Sequence, residues 1–457
     1  MKIFKKILCL AFVLVMCCTL FTGCSDKKEE SKVDLDGYEF TIASPWLVND
    51  TAGATLATYE RAFQKRRQEV EREFNCKITI IKPENIMQQM LAGEKVADWI
   101  NQTTYNVMNY AASDYLIPYE DIKGIDIKSD KWIKSYSDLF AMDGKHYALN
   151  FLKPASARNI LLVNKTMLKE NGVEEDIYQL VRDNKWTFDK FREMAQKCTN
   201  VQKGTYGVMF YDVYEAFASF IAANGAKIAD IKGGSVKEYT TSKEVLNALN
   251  FIDSLCNEYK VVKIDDKQRS GPTFATYTVS QAQIAQQFLN NKIAFYMMDM
   301  WVANQLIKPL EPEIEYGMVP IPMGPDTDKY HSSSFGADAF CVTKNNKDLD
   351  KAVIIMNALA EPAEGYEGDE WVEDAVINDY FQEGDTGSFD MYKICIENMT
   401  YDFMRTNGTN DLYGEFVVNC GLNPIFFRKT SVSSALQSFD GVPTNRLNEL
   451  FGFESKK

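Results

Sequence analysis

The chain has 457 residues and a net charge of −14, with 64 acidic against 50 basic side chains. So acidic a surface argues against binding nucleic acid or docking electrostatically on anionic lipid, since both need cationic patches. The length suits two to three domains, and 23 Tyr, 28 Phe and 6 Trp are enough to fill a large core and still line a cleft.

Lys2, Lys5 and Lys6 precede an apolar run from Ile7 to Phe21 that is broken only by Thr19. That run is shorter than the ~20 residues of a membrane-spanning helix, and its flanks are those of an export signal. It ends in Phe21-Thr22-Gly23-Cys24, which resembles the lipobox of bacterial lipoproteins, with Phe21 where leucine is usual. The resemblance implies cleavage of a 1–23 signal peptide and a lipid thioether on Cys24; a plain secretory signal is the alternative. Three lysines and no acid leave with residues 1–23, which moves the net charge from −14 to −17. Residues 24–36 are polar, with nothing to bury, and read as a flexible tether.

Of ten cysteines, Cys76, Cys198, Cys256, Cys341, Cys395 and Cys420 remain beyond the lipobox. They are far apart, form no C-x-x-C pair and no metal spacing. An exported protein with an even count could form disulfides; their apolar contexts suit buried free thiols instead.

Tyr38, Phe40 and Ile42 alternate with polar residues, a strand pattern closed by Ser44-Pro45-Trp46. Helical spacing follows over 54–75, then a strand over Lys77–Lys82, a short helix near Ile86–Leu91, a strand over Val96–Ile100 and a helix near Tyr105–Ser113. This β-α-β-α-β order predicts a parallel sheet with right-handed crossovers. Ligands bind beyond the carboxyl ends of such strands, so Ser44, Trp46, Asn101 and Gln102 are placed on a binding edge, with a turn role as the alternative for the last two.

A second α/β unit begins near residue 150. Its strands are expected over Asn159–Asn164, Tyr206–Phe210 and Lys292–Met298. Its helices start at Lys165, at Trp186-Thr187 with Thr187 as N-cap, at Tyr214, at Lys243 and at Ser280. Further strands are expected over Ile314–Pro322 and Ser332–Thr343, and helices over Leu349–Ala360, Val372–Phe381, Ser388–Met404 and Ser431–Phe439. The stretch Glu361–Asp374 has seven acids and no base. It reads as a solvated insertion, and it lacks the D-x-D-x-D-G order of a calcium loop.

Four local runs then resemble the extracellular solute-binding proteins of family 1, the carbohydrate-uptake type of ABC importers. They are Gly144–Asn150 (GKHYALN, with Asn150 at a usual proline), Leu161–Lys165 followed by Gly172 and Trp186-Thr187, Lys292–Trp301, and Gly317–Gly324 followed by Gly336 and Lys344. The resemblance implies an α/β fold of two lobes with type II periplasmic-binding topology, each a mostly parallel sheet flanked by helices. It implies 36–148 plus 299–338 as lobe 1 and 149–298 plus 339–457 as lobe 2, with the solute between them. It also implies an ABC permease as partner, a monomer, no cofactor, and a lipid-anchored location on the outer face of a Gram-positive-type membrane.

Catalytic patterns are lacking: the only histidines are His146 and His331, and there is no G-x-S-x-G, P-loop or G-x-G-x-x-G. A non-enzymatic receptor is therefore expected. Paired carboxylates of a glycoside-active enzyme are spatial and invisible here, and a peptide or other polar solute is a further alternative. Asp299 and Trp301 offer a carboxylate and an aromatic face, the pair a sugar needs; their other reading is a helix cap and a core residue. Arg158, Tyr211, Asn224, Phe335 and Asp338 complete the candidate ligand set, with Asn224 otherwise a helix terminator and Arg158 otherwise paired to an acid.

Overall fold

The computed structural model describes residues 33–47, 56–210, 212–263, 281–334, 336–347, 349–406 and 411–453. The lipobox at Cys24, Tyr211 and Phe335 lie outside the described residues.

The first sheet forms from β1 (Tyr38–Ala43), β2 (Cys76–Ile81) and β3 (Trp99–Thr103) in parallel, with an antiparallel strand Asp338–Cys341 on the far side of β3. β1 pairs along its whole length with β2, Tyr38 opposite Cys76 and Ala43 opposite Ile81. β3 starts three residues later than expected. Asp98, 1% exposed, spends its carboxylate on the β1 backbone and side chains, accepting from Thr41 N at 2.8 Å and Tyr38 Oη at 2.7 Å. The ladder therefore begins at Trp99, and Asn101 and Gln102 are buried strand residues rather than turn residues.

The second sheet has the order β7–β4–β6–β5, built from β4 (Ile160–Asn164), β5 (Tyr206–Phe210), β6 (Ile293–Met298) and β7 (Tyr316–Val319). β6 runs parallel to β5 and antiparallel to β4, and β4 is antiparallel to β7. β4 and β6 are buried along their whole length, which is why both read as continuous apolar runs.

The strand membership differs from the expected lobes. β7 lies in 299–338 but belongs to the second sheet, whereas Asp338–Cys341, here β8, closes the first. The helix Leu349–Leu359 packs on β1 and on the helix Thr58–Phe74, so this part of 339–457 is also first-lobe structure. The chain thus passes between the sheets at 149–159, 334–337 and 360–369. A short apolar strand fits either sheet equally well, and pairing alone decides which.

Trp99, Phe151 and Phe340 stack in the first-lobe core, with centroids 5.4, 4.5 and 5.0 Å apart. Trp99 Nε1 donates to Tyr119 Oη at 2.6 Å, and Tyr119 Oη donates to Phe340 O at 2.8 Å, so the buried polar atoms are satisfied. Thr187 caps its helix by accepting from Lys190 N. All six cysteines are free thiols. Burial pushes the thiols of Cys198, Cys341, Cys395 and Cys420 up to about 12, which leaves them unreactive. The helix Glu370–Tyr380 begins two residues earlier than expected, inside the acidic stretch. The helices at Leu412–Phe416 and Val442–Phe451 were not foreseen.

Candidate ligand-binding site

The carboxyl ends of β1 and β3 and the start of β8 face the carboxyl ends of β5 and β6 and the start of β4. Ser44 ends β1 in a turn: its Oγ accepts from Trp46 N at 3.2 Å and Leu47 N at 3.0 Å, and donates to Asn101 Oδ1 at 3.1 Å. Those bonds present Trp46 to solvent, with 49% of the residue exposed. A tryptophan held open on a rigid turn is a ready stacking surface.

A single polar chain crosses from this turn to the second lobe. Asn101 Nδ2 donates to Asp338 Oδ2 at 3.0 Å; Asp338 Oδ1 lies 3.8 Å from Arg158 Nη2; Arg158 Nη1 donates to Asp299 Oδ2 at 3.3 Å. Asp299 Oδ1 accepts from Asn159 N at 3.0 Å. Asn159 Nδ2 then donates to Glu215 Oε2 at 3.3 Å and Ser333 O at 3.2 Å, and Glu215 pairs with Arg405. Burial works against the charge of Arg158, but Asp299, Tyr136 and Asp338 outweigh it and hold the guanidinium protonated. Burial raises Asp338, and Arg158 and Asn101 only partly offset that. Glu215 is pushed up to about 7 by burial, with Arg405 opposing.

The structure therefore brings together Ser44, Asn101, Arg158, Asp299 and Asp338. Asp299 stands at the N-cap position of the helix turn Met300–Val302 without capping it, because its carboxylate serves Arg158 and Asn159. Trp301, two residues on, is half-buried. Gln102 alternates to the opposite side of β3 from Asn101 and accepts from Asn106 Nδ2 at 2.8 Å. Asn224 stands apart, bracing the loop 324–326: it donates to Glu244 O at 2.7 Å and Asp326 Oδ2 at 2.8 Å, and accepts from Asp326 N at 3.0 Å.

Sequence reasoning missed Glu215, Arg405 and Tyr136. An acid within the apolar helix VYEAFASFIAA was a usable signal for Glu215, since a lone buried carboxylate needs a partner. Asn150, at the usual proline of the hinge run, ties the first crossing to β8 by donating from Nδ2 to Asp338 O at 2.7 Å.

Two further contacts join the lobes. At the tip of the hairpin 141–146, Asp143 accepts from Gly233 N at 2.7 Å and Gly234 N at 2.9 Å, at the tip of the hairpin 229–238. Both glycines have positive φ, which turns successive N–H groups towards one carboxylate. The helix Thr58–Phe74 has Ala57 at its N-cap, which offers no side-chain acceptor. Asp379 supplies one from the second lobe, accepting from Thr58 N at 2.8 Å and Thr58 Oγ1 at 3.1 Å.

Among the described residues, no cluster of His, Cys, Asp or Glu is arranged to hold a metal ion, and no helix is long and apolar enough to cross a membrane.

Solved structures share this architecture at low identity. The sugar-binding protein MalE from Xanthomonas citri superposes with a TM-score of 0.64 at 14% identity, over 91% of this chain and 97% of that one. The galacto-N-biose/lacto-N-biose I-binding protein of an ABC transporter from Bifidobacterium longum gives 0.61 at 14%, over 93% and 100%. An ABC substrate-binding protein from Listeria monocytogenes, in complex with cycloalternan, gives 0.57 at 16%, over 92% and 100%. No curated protein matches the sequence significantly. The sequence profile of the bacterial extracellular solute-binding proteins, however, matches residues 65–372, and the chain belongs to that family.

Proposed function

We propose that this protein is a non-enzymatic receptor that captures a carbohydrate, in particular an oligosaccharide, between its lobes and delivers it to an ABC permease. The observation that carries this reading is the polar chain Asn101–Asp338–Arg158–Asp299, laid beside the open ring of Trp46. Sugars offer C–H faces to aromatic rings and hydroxyls to carboxylates and amides. Arg158 pairs with both neighbouring carboxyl groups, which present oxygen atoms to hydroxyl groups on either side of it. The sugar-binding proteins that share the fold support the same ligand class. Hydroxyls desolvated by closure must each find a partner, because an unpaired buried polar group costs about 1–3 kcal/mol, and that penalty gives discrimination.

Cys24 would carry the lipid, and residues 24–36 would tether the lobes near the permease. Such tethering raises effective concentration without any new contact.

The test is a thermal-shift and calorimetric screen over a glycan panel and a peptide panel, with product analysis. A stabilising sugar that is recovered intact supports the receptor. Released products would assign a glycoside-active enzyme, and a response to peptides alone would overturn the sugar reading. Trp46→Ala and Trp301→Ala should each weaken the sugar at least tenfold, about 1.4 kcal/mol.

A further inference from the structure

The acidic run 361–374 is not simply a solvated loop. Ala363, Tyr366 and Trp371 fold over the helix Thr58–Phe74 and close a cavity of about 390 Å³ against the first crossing segment. Five aromatic rings line it: Tyr59 and Phe63 from one helix face, Phe151 from the first crossing, Tyr366 from the third, and Trp371 from the first turn of the helix Glu370–Tyr380. Phe63 and Phe151 lie 6.0 Å apart, and Tyr366 meets Trp371 edge-to-face at 5.1 Å.

The rim is charged but compensated. Lys131 pairs with Glu361 at 3.3 Å, Lys153 with Asp369 at 3.0 Å, and Arg66 with Glu69 at 3.3 Å. Asp130 is the one further charged side chain of the lining, so the rim offers no cation to select an anion and a spare carboxylate that can accept from hydroxyl groups. Aromatic faces below fixed donors and acceptors instead suit a neutral ring with an apolar face and hydroxyls at its edge. Tyr59 links this cavity to the site already described: its ring lines the cavity, while its phenol lies within electrostatic reach of Asp338 and Arg158. Among the described residues that phenol makes no hydrogen bond, and burial keeps it in its neutral, donating form.

We propose that this cavity is an additional carbohydrate position, which takes one pyranose ring of an oligosaccharide at the hinge end of the cleft. The inference rests on the carbohydrate reading above and adds to it a chain-length preference set by residues 361–371. The volume is at the small end of ligand pockets, room for one ring rather than a chain.

The six tryptophans provide the test. Protein labelled with 5-fluorotryptophan gives ¹⁹F lines assignable by single substitution, with Trp46 and Trp301 reporting the cleft and Trp371 the cavity. Maltose, maltotetraose, lacto-N-biose and phenol are the probes. Maltotetraose is expected to move the Trp371 line as well as the cleft lines. Tyr366→Ala should cost the tetrasaccharide at least tenfold in affinity while leaving the disaccharides within about twofold. Cleft lines that move without Trp371, or equal losses for short and long sugars, would overturn the cavity position and leave the carbohydrate reading standing. A Trp371 line that answers phenol but no sugar would also overturn it. Silence of every line to every sugar would sink both.

Discussion

Arg158 lies between two carboxylates from different lobes, so Arg158→Met tests whether the polar chain holds the lobes as the geometry implies. Breaking a fully buried ion pair costs about 3–5 kcal/mol, and an exposed pair contributes about 0–1 kcal/mol. The Arg158, Asp299 and Asp338 side chains are 17%, 13% and 24% exposed, so the loss at pH 7 should fall between these limits, at about 2–3 kcal/mol. At about 2.1 cal/mol/K of unfolding entropy per residue, a chain of this length then loses roughly 2–3 °C in melting temperature. The pH dependence fixes the cause. Asp338 is already raised by burial with Arg158 opposing. Its contribution to stability is therefore full below the unfolded carboxylate pKa and is lost as pH rises through the folded value. Removing Arg158 raises that value further, so the deficit of the variant should be largest at pH 7 and shrink towards pH 5, as Asp338 neutralises. Adding Asp338→Asn should restore more than about 1 kcal/mol relative to additivity. Differential scanning calorimetry from pH 5 to 8 measures all three. A melting temperature within about 1 °C of wild type at pH 7, or a deficit independent of pH, would refute the bridging role.

Other outcomes follow from the same geometry. Glu215, 5% exposed, is raised from 4.5 to about 7 by burial; its stabilising contribution is present below pH 4.5 and lost towards pH 7, about 3 kcal/mol in all. Glu215→Gln should flatten the melting-temperature profile over that window, apart from a constant offset for unpaired Arg405, and parallel profiles would count against it. Asp143→Ala removes two charge-assisted hydrogen bonds between hairpin tips. Stopped-flow release of bound sugar should quicken roughly 5–30-fold, for about 1–2 kcal/mol, with the association rate within about twofold; an unchanged release rate would show that the tips do not latch the lobes. Cys24→Ala should leave sugar binding intact and send the protein into the culture medium, whereas retention on the membrane would disprove the lipobox.

Local signals in the sequence located most elements because each has a local cause. β1 and β2 alternate on one apolar face, β4 is apolar up to Asn164 and β6 throughout, Thr187 offers a hydroxyl at a helix start, and Gly172 and Gly225 supply positive φ after helix ends. The helix Leu412–Phe416 is too short to show a helical period, and Val442–Phe451 carries Pro443 in its first turn, where a proline reads as a break. Five of the candidate ligand residues met in one polar chain, since strand ends are where a sheet must expose side chains. Gln102 illustrates the limit: residue type and position made it equal to Asn101, yet strand alternation gave it another partner, while Asn224 took its other reading as the residue that ends the helix Val213–Ala223.

The sequence by itself determined the α/β class, the turn at Ser44 and Trp46 that closes β1, and the family resemblance, all consequences of short-range periodicity and chain order. Tertiary structure alone decided that β7 joins the second sheet and β8 the first, that Arg158 spans Asp299 and Asp338, and that the acidic run walls an aromatic cavity. The physical reason is that these are pairings between residues some 140 to 310 positions apart. An apolar strand, an arginine or a tryptophan carries no local mark of the partner it will meet.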